Sequence, residues 1–376
     1  MGPHQDRAAL VGFEETIFDF MYRGSSSQQW AEWLRAPLEH AAAAGDLEVV
    51  ETLLLAGANG GAGWRGCLDR SLLCAAVQSG NHRVVTALLK AGSRLDVNTR
   101  SGEKLWSPLH YAASAAKQGH THIVPILLLT GANANILDNS RCSPLHLAAQ
   151  YGRVPMIQAL LAAGADMSLH NLDNISSSAL TVAARFGHVE AVKALIDHGA
   201  DVNCTHSTSM NALHTAAYFN KAGVVSALLE SGADPNAPDG VAGWTPLHFA
   251  SWVGSCDAMR MLLRADVKVD AKTAAGQRPL GLACQYLAVE AAQLLLSYGA
   301  DETCMDNYRR TATHLVGKSI KAGELQERAG DVQRLRELIA AAPANRAWRR
   351  RGLIVLCRAF PRNVRLLTND NNSADE

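Results

Sequence analysis

A seven-residue motif that recurs nine times constrains the fold of this chain more than any other feature. Four well-matched copies, SPLHYAA, SPLHLAA, NALHTAA and TPLHFAS, begin at Ser107, Ser143, Asn211 and Thr245. Five more degenerate copies begin at Ala36, Ser71, Ser178, Arg278 and Thr311. The nine starts are 33 to 36 residues apart. A repeat with this period predicts stacked supersecondary units, because no single unit of this size can bury its apolar face alone.

The residues of two neighbouring copies predict that each repeat contains two short helices, the second of which ends at a glycine. Thr245 can cap the first helix, and Pro246 fits its first turn, where no backbone hydrogen bond is lost. The pair Ala216-Ala217 is small enough to let neighbouring first helices approach closely. Apolar residues within 224–229 recur at i, i+1, i+4 and i+5, which marks one face of a second helix. Gly232 then ends that helix, because glycine tolerates the positive φ of a helix C-terminus.

This pattern resembles the ankyrin repeat over residues 36–341. The resemblance implies an all-α solenoid of stacked helix-turn-helix units, each joined to the next by a β-turn finger. The predicted organisation is an N-terminal helical cap over 1–34, a repeat domain over 35–342 and an Arg-rich cap or tail over 343–376, with its last residues disordered. Register counting also places insertions near 114–118 and 320–329, and insertions in repeat proteins map to loops.

The Arg-rich tail leaves more than one interpretation open. It carries seven arginines from Arg346 to Arg365 and no acid before Asp370. It resembles the tails of ankyrin-repeat proteins of unicellular algae and protists. It could form a capping helix decorated with arginines, or a docking element for an acidic partner, RNA or a membrane surface.

Net charge, apolar runs and cysteine spacing indicate which partners and which cellular compartment to expect. Lys plus Arg and Asp plus Glu both total 35, so no net charge drives the chain toward nucleic acid or an anionic membrane. No apolar run is long enough to cross a bilayer, and the first residues lack the apolar region of a secretory signal. Eight scattered cysteines without a C-x-x-C pair indicate a reducing compartment. We expect a monomer in the cytoplasm or nucleus, with no membrane insertion.

No catalytic, cofactor or metal site is predicted. Residues 61–66 match G-x-G-x-x-G but follow a helix end, whereas a dinucleotide site requires a preceding strand. No Ser-His-Asp or Cys-His arrangement can be argued, because nothing fixes a nucleophile beside a base. Five histidines share the fourth position of the motif, and the resemblance implies that they brace neighbouring fingers. The repeat distance keeps them too far apart to share one ion. These are His110, His146, His214, His248 and His314.

Aromatic residues recur at one slot, two residues after the Ala-Ala pair. The slot holds Tyr151, Phe186, Phe219 and Tyr286, and adjacent rings stand at Tyr218 and Trp252. The slot ends the first helix, which the resemblance places on the concave face. The rings could form an apolar groove for a partner, since aromatic anchors dominate interface energetics. They could equally fill space between first helices. Trp106 and Trp244 are interpreted as structural.

The predicted function is a non-catalytic interaction scaffold that docks a protein segment in this groove. Seven fingertip residues are expected to tune specificity: Arg100, Glu103, Lys104, Asn139, Arg141, His206 and Asp239. The alternative is a substrate-recruiting adaptor, for example of the ubiquitin-ligase type, in which a terminal segment supplies a second docking element. No cullin-box-like signature is evident in the sequence.

Overall fold

The computed structural model describes residues 27–59, 70–91, 95–114, 121–171, 177–205 and 210–343. Within these ranges the regular structure is helical, apart from one isolated antiparallel bridge between Ser101 and Trp106. The predicted all-α class is therefore confirmed. The first part of the predicted cap, most of the insertion near 114–118, His206 and nearly all of the Arg-rich tail lie outside the described residues.

The chain divides into two compact units. The first comprises Met1–Ala183 and Lys193–Ala200, and the second Ala184–Val192 and Asp201–Glu376. The first unit contains α1 (Ser27–Ala44), α2 (Leu47–Asn59), α3 (Arg70–Ser79), α4 (His82–Ala91), α5 (Pro108–Ser114), α6 (Ile123–Leu129), α7 (Pro144–Gln150) and α8 (Val154–Ala162). Helices α9 (Ala179–Phe186) and α10 (Val189–Asp197) contribute residues to both units.

The second unit continues the same alternation of first and second helices. It contains α11 (Ala212–Tyr218), α12 (Ala222–Glu230), α13 (Pro246–Val253), α14 (Cys256–Leu262), α15 (Pro279–Gln285), α16 (Val289–Ser297), α17 (Ala312–Leu315), α18 (Ala322–Glu327) and α19 (329–343). No helix within the described ranges combines the length and apolar character that a bilayer span requires.

Helices of like kind pack in two layers inside each unit. In the first unit α1, α3, α5 and α7 contact one another in succession, as do α2, α4, α6 and α8. In the second unit α11, α13, α15 and α17 form one layer, and α12, α14 and α16 the other. Ala216 and Ala217 on α11 are fully buried, so the small pair does allow close approach of the first helices.

The N-terminus of α1 differs from the sequence expectation. The first motif begins at Ala36, yet α1 runs unbroken from Ser27 and carries Pro37 inside it. The predicted boundary between cap and repeats at 34–35 thus falls within one helix. The reason is that Ala36 has no side-chain acceptor and so cannot act as an N-cap for a new helix beginning there. Thr245, in contrast, is the N-cap of α13.

Residues 320–329, where the register predicts an insertion, contain α18 and are tied to the preceding repeat. The Arg328 Nη2 donates to the carbonyl oxygen of Leu287 over 2.9 Å, and the Arg328 Nε pairs with Asp331 over 2.9 Å. The backbone N–H of Gly317 donates to the carbonyl oxygen of Cys284 over 3.0 Å. These bonds place residues on both sides of α18 against the end of α15 and the residues just after it.

Candidate partner-binding surface

Five of the predicted slot aromatics lie in the second unit, and four of them make a continuous series of ring contacts. Ring centroids are 4.9 Å apart for Tyr218 and Phe219, 5.6 Å for Tyr218 and Trp252, and 5.9 Å for Trp252 and Tyr286. The geometries are edge-to-face or tilted, which aromatic pairs favour. We call the following five residues the ring row: Phe186, Tyr218, Phe219, Trp252 and Tyr286.

Arg185 joins Phe186 to the rest of the ring row. Its guanidinium carbon lies 5.8 Å from the Phe186 centroid and 5.2 Å from the Phe219 centroid. These distances fit cation–π contacts. The cation therefore stands at the α9 end of the row, next to two rings.

The ring row is partly exposed and partly buried, so it has features of both a partner groove and packing between first helices. Phe186 is 43% exposed, and the other four rings are half-buried. Val253, which occupies the slot beside Trp252, is 50% exposed. The rings fill space between successive first helices and still present part of their surface to solvent.

Trp244 belongs to the same aromatic cluster, although the sequence assigned it a structural role alone. Its centroid lies 5.4 Å from Trp252 and 5.1 Å from the buried Phe249. Trp106 and Tyr111 make the equivalent 5.3 Å contact in the first unit. The spacing of five residues between the two aromatics in both repeats was the signal that could have found this pair.

Tyr151 is the one predicted slot aromatic of the first unit. It follows α7 as the C-cap residue and is 41% exposed. The equivalent positions of an earlier repeat hold Gln78 and Ser79. The concentration of slot aromatics is thus a property of the second unit.

The slot pairs, meaning the two positions after the Ala-Ala pair, show a charge pattern along the second unit. They are Arg185-Phe186, Tyr218-Phe219, Trp252-Val253, Gln285-Tyr286 and Lys318-Ser319. Ser319 joins this series because its backbone N–H donates to the Gln285 carbonyl oxygen over 3.4 Å, and the two side chains are hydrogen-bonded. The series holds a cation at each end and no carboxylate.

Fingertips in the first unit present the predicted polar residues at the surface. Arg100, Glu103, Lys104, Asn139 and Arg141 are all exposed. The backbone N–H of Asn139 donates to the Lys104 carbonyl oxygen over 3.2 Å, and its Nδ2 donates to the Glu103 carbonyl oxygen over 2.9 Å. Asn139 therefore links two fingers as well as facing solvent.

Asp239 has a role inside its own finger that the sequence did not reveal. Its Oδ1 accepts hydrogen bonds from the backbone N–H groups of Ala242 at 2.9 Å and Trp244 at 2.8 Å. Asp306 uses its Oδ1 in the same way for Tyr308 and Arg310, at 2.9 Å each. Such bonds fix the shape of the turn, so both carboxylates stabilise the conformation of their own fingers.

Four of the five motif histidines brace one finger against the next, as the resemblance implies; these are His110, His146, His214 and His248. His314 is exposed and bonds Thr311 of its own motif. The His110 Nδ1 accepts from the Ser107 backbone N–H at 3.1 Å, and its Nε2–H donates to the Cys142 carbonyl oxygen at 2.9 Å. His248 repeats this with Thr245 and with Gln277. Burial lowers the pKa of His110 and lowers that of His248 to about 4, so both imidazoles are neutral at pH 7.

Possible metal ligands and cysteine thiols are spread over the part of the chain that the structure describes. No three His, Cys, Asp or Glu side chains there come close enough to hold an ion. Burial raises the pKa of the Cys74 thiol to about 11 and that of Cys284 to about 12. Thiols of this kind stay protonated and pack as small apolar groups.

Two layers of short helices joined by histidine-braced fingers define a helical repeat protein. A family model for ankyrin repeats matches overlapping segments at 38–115, 73–171, 113–206, 168–239 and 203–273. These segments together cover more than half of the chain, and the chain belongs to the ankyrin-repeat family.

Individual relatives share the repeats over part of their length. The chain is 37% identical over 97 residues to the mouse B-cell lymphoma 3 protein homolog, covering 26% of this chain and 20% of that protein. It is 33% identical over 215 residues to the cattle ankyrin repeat and SOCS box protein 3, covering 56% of this chain and 33% of the relative. The chain thus spans between a fifth and a third of the lengths of these two curated relatives.

A solved structure shows the same fold. The human ASB11 ankyrin repeat domain superimposes with a TM-score of 0.51 at 25% sequence identity. The match covers 62% of this chain and 98% of that domain.

Proposed function

We propose that this protein is a non-catalytic scaffold that binds a protein partner through the ring row and through exposed fingertips. The observation that carries the proposal is the ring row itself. Four half-buried rings in mutual contact hold their side chains in place, so little conformational entropy is lost when a partner covers them. Tyr and Trp combine apolar area with a polar group, which suits them to interfaces.

Family membership supports a protein as the partner, since ankyrin repeats are interaction domains. The partner segment would cover Phe186, Phe219 and Trp252 together. Exposed fingertips would contribute to the choice of partner in each unit by itself. The first-unit fingertips Arg100, Glu103, Lys104, Asn139 and Arg141 carry both signs of charge, which suits discrimination between partners.

Replacing Phe186, Phe219 and Trp252 together by alanine is expected to weaken partner binding by roughly 100-fold or more, because central aromatic anchors carry most of the energy of an interface. The measurement is affinity capture with mass spectrometry, followed by titration of a recovered partner against wild type and variant. Helical circular dichroism should stay unchanged, since all three side chains reach solvent.

The matched control removes an equal number of exposed apolar side chains away from the ring row. Leu55, Leu129 and Tyr298 are 68%, 89% and 45% exposed. A Leu55→Ala, Leu129→Ala and Tyr298→Ala variant should keep its partners. Equal partner recovery from the ring variant and this control would refute the placement of the binding surface.

A second candidate function is a substrate-recruiting adaptor, for example of the ubiquitin-ligase type. It is favoured by one relative whose name joins ankyrin repeats to a SOCS box. The described repeats of this chain end at residue 343, and 344–376 would then supply the second docking element.

Deleting residues 344–376 is expected to separate the two functions. An adaptor loses one class of captured proteins on this deletion and keeps the class that depends on the ring row, because the two classes dock on different segments. A plain scaffold keeps every partner. Affinity capture with the wild type, the deletion variant and the ring variant in parallel identifies which proteins belong to each class.

A further inference from the structure

We propose that the ring row receives an acidic segment of a partner protein, an extended stretch in which aliphatic or aromatic anchors are flanked by Asp or Glu. This inference rests on the proposed function and adds the chemistry of the partner. It is drawn from the arrangement of charge around the rings of the second unit.

Cations stand at both ends of the ring row. At one end the Arg185 guanidinium lies against Phe186 and Phe219, at 5.8 Å and 5.2 Å from their centroids. At the other end Lys318 is exposed, and its neighbour Ser319 is bonded to Gln285, the residue before Tyr286. A segment that crosses the rings thus meets a positive charge on entering and on leaving.

Three aspartates of the second unit are engaged with groups of this chain. Asp239 accepts two backbone N–H groups of its own finger. Asp306 is buried and pairs with Arg310 over 2.7 Å. Asp257 pairs with Arg260 and accepts from the Asn220 Nδ2 over 3.3 Å. Glu190 and Glu290 lie in the first turns of α10 and α16, where the helix dipole favours acids.

The fingertips of the second unit add apolar and cationic surface. Val241 and Tyr308 are 75% and 70% exposed, and Arg309 beside Tyr308 is exposed as well. Backbone bonds from Ala274 to Ala242 and from Asn307 to Ala275 hold the three fingers side by side. A partner that reaches past the rings therefore meets more apolar contacts and another cation.

The length of the row suits an extended peptide. The three ring steps of 4.9, 5.6 and 5.9 Å limit the distance from Phe219 to Tyr286 to about 16 Å, which about five extended residues cover. Acids that flank these five residues would face Arg185 at one end and Lys318 at the other. Opposite charges at these two ends fix the register of the peptide and raise its rate of association.

Single-stranded RNA is the rival polyanion, and the geometry favours a peptide. Base stacking needs open ring faces over a cationic groove that tracks the phosphates. In the ring row the rings lean edge-to-face on one another, so neighbouring rings cover part of each face. The cations stand at the two ends of the row, and the slot pairs between them carry none.

The experiment pans a phage library of random peptides of about 16 residues against the full chain, with prior depletion on the Phe186→Ala, Phe219→Ala, Trp252→Ala variant. Enriched peptides are expected to carry several Asp or Glu residues around apolar anchors. Each is then titrated by fluorescence anisotropy at about 50 mM salt. Arg185→Glu with Lys318→Glu should weaken its binding by about tenfold or more.

The control reverses two charges away from the slots of the second unit. Arg264 and Lys268 are exposed after α14, and Arg264→Glu with Lys268→Glu should change affinity by less than about twofold. Enriched peptides that are neutral or basic, or whose affinity does not change with Arg185→Glu and Lys318→Glu, would refute an acidic partner segment. The proposed scaffold function would still stand in that case. Failure to enrich any ring-dependent peptide overturns both. An oligouridine of roughly 12 nucleotides that displaces the peptide overturns the choice of a protein segment.

Discussion

Replacing Gly276 by alanine is expected to destabilise the second unit by about 3 kcal/mol, the sum of left-handed strain and overpacking. Gly276 has φ of +72°, and an added Cβ would lie 2.8 Å from the backbone nitrogen of Asn307 and closer still to its side-chain oxygen. Asn307 bonds the neighbouring finger through its backbone N–H to Ala275 and its Nδ2 to Ala274. The substitution therefore forces two fingers apart.

Gly299 provides the matched control in the same unit. Its φ is +93°, and an added Cβ would meet nothing within 4 Å. Gly299→Ala should cost only the strain of the left-handed backbone, about 1 kcal/mol. Urea unfolding followed by circular dichroism compares the two variants with wild type. Equal losses from both would show that finger contact contributes nothing beyond backbone strain.

Acidification from pH 7 to pH 5 is expected to remove about 2 kcal/mol of unfolding free energy through His248 alone. Burial lowers the pKa of His248 from 6.5 to about 4, so the folded state keeps it neutral while the unfolded state binds a proton. The stability is full above the unfolded pKa of 6.5, and it is lost as pH falls toward the folded value. His110 and His214 are shifted in the same direction and add to the loss.

His248→Gln separates this titration from other effects of acid. Glutamine does not ionise, so the loss between pH 7 and pH 5 should be smaller by about 2 kcal/mol, although the variant is less stable at pH 7 because a brace is altered. Chemical unfolding at both pH values gives the four free energies required. The same dependence on pH in wild type and variant would contradict neutral burial of this imidazole.

The repeat and the helix pairs could be predicted from the sequence because each is a local pattern that recurs many times, whereas the histidine braces were implied by the resemblance to ankyrin repeats. Thr245 and Pro246 predict the start of α13, and the structure places Thr245 at its N-cap. The start of α1 could not be predicted, since Ala36 carries no capping group and the preceding residues continue the helix. A degenerate copy lacks the signal that a good copy supplies.

Only part of the candidate site could be predicted from the sequence. The slot aromatics stood out because they recur, and the structure brings Tyr218, Phe219, Trp252 and Tyr286 into contact. The five-residue spacing of Trp244 and Phe249 could have indicated their contact, but the contact of Trp244 with Trp252 depends on how a finger meets a helix. The contacts of Asp239 with its own backbone depend equally on the closed shape of the turn.

The slot pairs lie where each first helix ends, outside the alanine pairs and histidine braces that hold the layers together. Ala216, Ala217 and His214 are wholly buried, whereas Tyr218 and Phe219 reach the surface immediately after them. Substitutions at the slot pairs can therefore change the exposed surface of each repeat while the buried supporting residues stay the same. The surface chemistry of this molecule and its architecture are thus encoded by different residues, so that one can change without the other.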